Sequence, residues 1–291
     1  MASKKKDDKQ EVATADERGV STHVNTDYGD QSGRGMEQTD QSDLKIPYLN
    51  LLQKGSPECD EQADDYIPEA KPGMLMNSVT KELYDGKEGI IFVACHKAHC
   101  YVEWKPRDAG GGLVARHDKN SELVHACKKA SGKTYGTIPT DEGNELVETK
   151  YLTGYLLESE DSLEPATMVV ISFSSTKLKK FQEIYTAMNT VKGKPPMYAH
   201  RLRVRSVGEK NQHGSFYNLS MTYLDGSLKN YASGFIPRFD ESGAPHPLAA
   251  AGEQLLSQME SGERQFADDS VGNAAEGVTV DAGAAGDPPP F

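Results

Sequence analysis

The sequence predicts a mainly β (α+β) protein, a β-rich barrel or sandwich carrying one or two helices between disordered tails. Three observations lead there. The middle of the 291-residue chain is a succession of β-branched and aromatic stretches separated by turns, it holds one strongly helical segment, and both ends are too polar to build a core. The hydrophobic content of 36% is low for a chain folded throughout, which fits long tails.

Residues 1–43 combine Asp, Gln, Ser, Thr and Gly with few aliphatic side chains, so they cannot offset chain entropy and are expected to form a disordered N-terminal arm. Ile46, Tyr48, Leu49, Leu51 and Leu52 supply the first apolar cluster. GMLMNSV (73–79) and ELY (82–84) predict a hairpin, with Asp85 and Gly86 making the next turn. GIIFVACHKAHCYVEW (89–104) is long, β-branched and aromatic, and predicts one bent strand or two. TKYLTGYLLE (149–158) and ATMVVISFS (166–174) predict two more strands. TKLKKFQEIYTAMN (176–189) predicts a helix: Ser174, Ser175 and Thr176 offer an N-cap, and Pro195 and Pro196 lie beyond its end. Leu178, Phe181, Tyr185 and Met188 fall on one helical face, with Lys177 and Lys180 elsewhere. YAHRLRVRSV (198–207) and SFYNLSMTYL (215–224) predict a last pair of strands, joined by a polar turn containing Gly208 and Gly214. From about Pro237 the composition shifts to Ala, Gly, Ser, Glu and Asp. Residues 44–236 are therefore the expected core, and residues 237–291 an acidic disordered tail with room for one short helix at 247–260.

Several function classes fall away on composition and motif. No run of about eighteen apolar residues is present to span a membrane, and the charged MASKKKDDKQ start lacks the apolar stretch of a signal peptide. Four cysteines without a dense framework point to a reducing compartment, so the expected location is cytoplasmic. P-loop, HExxH, GxSxG and GxGxxG patterns are missing, and no enzymatic activity is expected. Gly110, Gly111 and Gly112 read as a flexible loop, and Glu158, Glu160 and Asp161 as a solvated one. The most metal-like cluster is CHKAHC (95–100), with His117, His125 and Cys127 following. Zinc requires about four converging ligands. Cys95 and His96 are adjacent, so a regular strand would point them to opposite faces. Packed thiols are expected, with no metal or cofactor.

The net charge of −12 hides a sharp asymmetry. Residues 237–291 hold 2 basic and 10 acidic side chains, whereas residues 166–236 hold 10 basic and 3 acidic ones. Within RLRVRS, strand alternation places Arg201, Arg203 and Arg205 on one face, about 6.8 Å apart, with Leu202 and Val204 facing the core. Such a ladder suits an extended polyanion. Lys177, Lys180, Lys105 and Arg107 extend the basic path, and Trp104 and Tyr217 are candidate stacking platforms for bases.

A basic, aromatic, β-rich core with an acidic tail ending in phenylalanine resembles the single-stranded-DNA-binding proteins of bacteria and their phages. Asp287, Pro290 and Phe291 match the bacterial ending of acids followed by Ile-Pro-Phe, while Pro288 and Pro289 depart from its acidic run. The stretches IPYLNLLQ, KPGMLMNSVTKELY, VEWKPRDAGGG and STKLKK are also similar to a group of uncharacterised phage-encoded proteins. The resemblance implies an OB-like barrel core and a role in phage replication or recombination. It further implies single-stranded DNA as ligand and recruitment of replication or recombination partners through Asp287, Pro290 and Phe291, with homo-oligomerisation open. The alternatives from other classes are a phage interaction or structural protein whose basic face binds an acidic partner, and a nuclease or annealing protein.

Overall fold

The computed structural model of the protein describes residues 34–35, 46–212 and 214–262. Of the two compact units in the chain, Met1–Asp43 and Leu44–Phe291, nearly all described residues belong to the second.

Two long strands form the axis of that unit. β4 (Ile90–Trp104) and β7 (Glu145–Leu157) pair antiparallel along their whole length, so the 89–104 stretch is one strand. Each end of this ribbon is widened separately. At one end β9 (Arg201–Asn211) pairs with Ile90–Val93 of β4, β10 (Gly214–Thr222) pairs with β9, and β8 (Thr167–Ser174) pairs with the C-terminal part of β7. At the other end β5 (Leu113–Asp118) pairs with Cys100–Trp104 of β4, and β6 (Thr137–Pro139) with the start of β7. A small separate sheet holds β1 (Leu49–Leu51), β2 (Leu75–Asn77) and β3 (Leu83–Tyr84). The β2–β3 hairpin matches the sequence expectation. Asp85 then turns the chain, its carboxylate accepting from the Lys87 and Glu88 amides at 2.6 and 3.2 Å.

The mainly β class is as the sequence predicts, but the seven-stranded sheet is not closed into a barrel. Its edges at β8 and β10 are linked by other means. The Val170 amide donates to the Pro47 carbonyl at 2.9 Å, tying the 46–53 segment to β8. Further along, the Gln53 side chain donates to the Tyr217 carbonyl and accepts from the Tyr217 amide, both at 3.0 Å, copying a backbone partner for β10. Helix α2 (Lys177–Thr190) packs against both edge strands as well. Its Phe181, Ile184 and Met188 are buried with Phe92, Ala94, Leu152, Ile171, Phe173, Leu202, Val204, Leu219 and Met221 in the largest core, and Leu178 and Tyr185 pack at its margin. The apolar stripe read from the sequence therefore faces the core. Thr176 takes the N-cap position without a side-chain cap bond.

The side chains of β4 change faces at a β-bulge. Ala94 pairs with Gly154 and His96 with Thr153, leaving Cys95 as the extra residue. Before the bulge Phe92 and Ala94 face the large core; after it, Lys97, opposite Leu152 of the same core, continues that face with His99, Tyr101 and Glu103. Gly154 is required here, because a Cβ on it would collide with the Val93 carbonyl oxygen.

The opposite face of the sheet carries a second core. Helix α3 (Pro247–Glu260) buries Leu248, Ala249 and Leu255 against Ile91, Val93, Cys95, Leu157 and Ile236. Gly252 allows this seat, since a Cβ there would strike Tyr198. The boundary at 236/237 is thus corrected: residues 237–262, tail-like in composition, are packed structure, because an Ala- and Gly-rich helix can lie close to a sheet. The end of the ribbon bearing β5 and β6 has its own small core of Tyr101, Val124, Cys127, Ile138 and Leu146, capped by helix α1 (Glu122–Ser131). Ser121 caps α1 through the Val124 amide at 3.4 Å, and Gly132 ends it at φ 67°. The sequence reading missed β5, α1 and β6, whose short polar stretches have little periodicity. Gly208 also differs from expectation, lying within β9 opposite Tyr217 rather than in the turn.

Two stability predictions follow from this architecture. Gly154→Ala should destabilise by about 2–3 kcal/mol through backbone overpacking at the bulge, whereas Gly208→Ala, with open space around it, should be near neutral; urea midpoints compare the two. His200 is fully buried beside Tyr223, and burial pulls its imidazole from 6.5 down to about 4. Between these values the unfolded chain binds a proton that the folded chain refuses. Its contribution is complete above pH 6.5 and lost as pH falls towards 4, up to about 3 kcal/mol at 1.36 kcal/mol per unit. Chemical denaturation across that window should show the loss, and His200→Phe should flatten it.

Candidate nucleic-acid interface

Arg201, Arg203 and Arg205 share one face of β9, as alternation predicts, with Leu202 and Val204 fully buried on the other. That face is not open to solvent. It is the face carrying α3, because Arg201 and Arg203 lie opposite Val93 and Ile91 of the α3 core. All three arginines are half-buried, and each is engaged by the protein itself. Arg201 donates from Nη2 to the Ser162 carbonyl at 3.3 Å, Arg203 pairs through Nη2 with Glu160, and Arg205 donates from Nε to the Glu88 carbonyl at 3.2 Å. Burial lowers the pKa of Arg201, while nearby Asp161 opposes that shift. The loop of Glu158, Glu160 and Asp161, expected to be merely solvated, therefore has a partner in the ladder.

The other sequence-derived candidates lie off this ladder, on α2, on β10 and at the far end of β4. Lys180 forms an ion pair with Glu209 at 3.0 Å. Burial opposes ionisation of Glu209, yet the Asn218 amide and the Lys180 ammonium hold its carboxyl below the ordinary range. Lys177 is half-buried at the start of α2, and burial pulls its ammonium down to about 8. A cation there also faces the positive end of the helix dipole. Tyr217 is half-buried against the large core, its ring lying on Gly73, where a Cβ would touch it. Trp104 ends β4, and Lys105 and Arg107 come just after it. Trp104 is half-buried and Lys105 exposed, roughly 40 Å along the strand from Ile91 and Val93, where Arg203 and Arg201 pair. Gly110, Gly111 and Gly112 all adopt positive φ with open space around them.

The structure gathers a basic surface that the sequence reading did not find. It lies on the core face of the β4–β7 ribbon past the bulge, between α1 and α2. Lys97 and His99 project there from β4, and Glu148 and Lys150 from β7. The Lys97 ammonium sits 4.7 Å above the centre of the Tyr185 ring and 3.4 Å from its hydroxyl. Lys150 Nζ sits 5.3 Å above Phe181 and 3.4 Å from Glu148. Lys128 of α1 covers the Tyr101 ring at 4.5 Å, and His99 Nε2 lies 3.1 Å from Glu148. Burial holds His99 below the ordinary histidine range; Glu148 opposes this, and Lys150, Lys119 and Lys97 add to it. Four lysines and a histidine thus surround one carboxylate and two tyrosine rings. The cation–π contacts fix the Lys97 and Lys128 ammonium positions without a carboxylate, whereas Lys150 is paired with Glu148. The detectable signal was a K/H alternation along KAHCY after a shift of register, which nothing local in the sequence marks.

A neighbouring group is internal. Glu103 is buried, accepting from the Asn144 amide at 2.7 Å and lying 2.7 Å from His117 Nε2, which joins β4, β5 and the β6–β7 turn. The metal-like residues disperse. Cys95 belongs to the α3 core, Cys127 to the α1 core, and His99 and His117 are taken by carboxylates. The alternation argument is itself corrected, because at the bulge His96 follows Cys95 on the α3 side, near Glu260. Among the described residues no three metal-ligating side chains converge. Asp287, Pro290 and Phe291 lie outside the described residues. No described helix is long and apolar enough to cross a membrane.

No curated protein and no solved structure matches the chain. A family model does, over residues 15–265, which includes the whole of the ribbon, the three cores described above and the basic surface. The chain belongs to the Pam3 phage gp34-like protein family and is a phage protein.

Proposed function

We propose that this phage protein binds single-stranded DNA during replication or recombination, without catalysing a reaction. The observation that carries the reading is the basic surface between α1 and α2: Lys97, Lys119, Lys128, Lys150 and His99 around the single Glu148, with Tyr185 half-buried at its wall. Closely spaced cations beside aromatic rings are what a flexible phosphodiester strand requires, since charge supplies sequence-independent affinity and rings supply stacking. Arg201, Arg203 and Arg205, with Lys177, Lys180, Lys105, Arg107, Trp104 and Tyr217, form outlying parts of the strand path. Asp287, Pro290 and Phe291 recruit partner proteins.

The reading as a phage interaction protein has one observation in its favour: the arginine ladder already holds an acidic segment, Glu160 against Arg203. Salt titration with poly(dT) separates the two readings, because an acidic protein ligand gives no length-dependent strand binding.

Lys97→Gln, Lys119→Gln and Lys128→Gln together should weaken poly(dT) binding and reduce the salt slope by about 2, counting about 0.7 for each lost phosphate contact. Lys150 is left in place to keep Glu148 paired. An unchanged slope in a variant with native circular dichroism removes this surface from the path. Phe291→Ala should leave poly(dT) affinity unchanged and abolish capture of replication proteins, because it deletes a ring and no charge.

A further inference from the structure

The acidic connection between β7 and β8, residues 158–164 with the sequence ESEDSLE, lies across Arg201 and Arg203 in an unusual manner. Its own order is local: the Ser159 amide donates to Ser162 Oγ at 3.0 Å, and the two hydroxyls are 3.1 Å apart. Its one large apolar side chain, Leu163, is 57% exposed and anchors nothing. Its hydrogen bonds and ion pairs to the sheet are those to the two arginines, and the next fastening is at its root, where the Ala166 amide donates to the Leu156 carbonyl at 3.0 Å. The arginines, for their part, are incompletely used. Both Nε atoms are buried without a partner, although a guanidinium presents five donors.

We infer that residues 158–164 form a displaceable acidic strap, an internal stand-in for a polyanionic strand that keeps Arg201 and Arg203 closed until such a strand replaces it. The inference rests on the strand-binding reading above and adds a gated second contact surface on the opposite face of the sheet. One ion pair, Arg203 with Glu160, and one guanidinium bond to the Ser162 carbonyl hold the strap, so a denser line of negative charge competes for the same guanidinium groups. Phosphates accept bidentate bonds and satisfy donors that a single carboxylate and a carbonyl leave idle. Arg205, held by the Glu88 carbonyl at the end of the β3–β4 turn, stays outside the strap.

The test uses the full chain in three forms: wild type, a strap variant (Glu158→Gln, Glu160→Gln, Asp161→Asn, Glu164→Gln), and a control with the same charge change in an exposed loop (Asp60→Asn, Glu61→Gln, Asp64→Asn, Asp65→Asn). Each is titrated with dT30 and with inorganic polyphosphate over a range of salt. The strap variant should bind polyphosphate roughly tenfold more tightly than the control at low salt, with a slope steeper by about 1.4 for two added contacts. Adding Arg201→Gln and Arg203→Gln to the strap variant should abolish that gain. In the wild type, polyphosphate should speed amide hydrogen exchange at residues 158–164. Equal gains in strap variant and control, or unaltered exchange, overturn the strap. A strap response to polyphosphate with no dT30 binding by any form keeps the strap and removes the single-strand reading instead.

Discussion

The bulge at Cys95 is the constraint on which the rest of the unit depends. A regular β4 would carry the alternation of Ile91 and Val93 straight through, sending Lys97, His99 and Glu103 to the α3 face and Cys100 and Val102 into the large core. One extra residue reverses this. It lets one fifteen-residue strand serve two differently covered ends, with α2 over the first and α1 over the second. Gly154 is the physical condition for the bulge, since the backbone of β4 crosses where any side chain would stand.

Charge in this molecule is organised by local pairing more than by regional count. The 166–236 region is rich in cations, yet Arg201 and Arg203 lie under an acidic loop and Lys180 is matched to Glu209. The least compensated cations, Lys97, Lys119 and Lys128, are drawn from segment 97–128, where basic and acidic residues are nearer balance, because tertiary pairing of β4 with β7 and the packing of α1 bring them together. Burying Glu103 and Glu148 has a related effect. Each takes a histidine as neighbour, at Glu103 with Asn144 and at Glu148 with Lys150, so two intrinsically costly buried carboxylates become joints between strands.

The gap between the two edges of the open sheet is bridged partly by side chains. Where a barrel would pair β8 with β10, this fold inserts the 46–53 segment and α2. Gln53 supplies the missing donor and acceptor for Tyr217 with its amide, which explains a buried glutamine in an otherwise apolar stretch. The arrangement seals the core without strand pairing between the two edges.

Local pattern was enough for much of the fold. The β2–β3 hairpin, the strands β7 to β10, the apolar stripe of α2 and the common face of Arg201, Arg203 and Arg205 all follow from periodicity, which depends on backbone geometry alone. The α3 segment was legible as a helix but not as part of the core, because Leu248 and Leu255 become buried only when Ile91, Val93 and Leu157 supply the opposite surface. The acidic loop looked solvated for the same reason: its arginine partners are some forty residues away in sequence. Burial of Arg201, the pairing of Lys180 and the gathering of Lys97, Lys128 and Lys150 were decided by tertiary structure, since a side chain's exposure and neighbours depend on what packs over it, and a single bulged residue is enough to exchange the two faces of a strand.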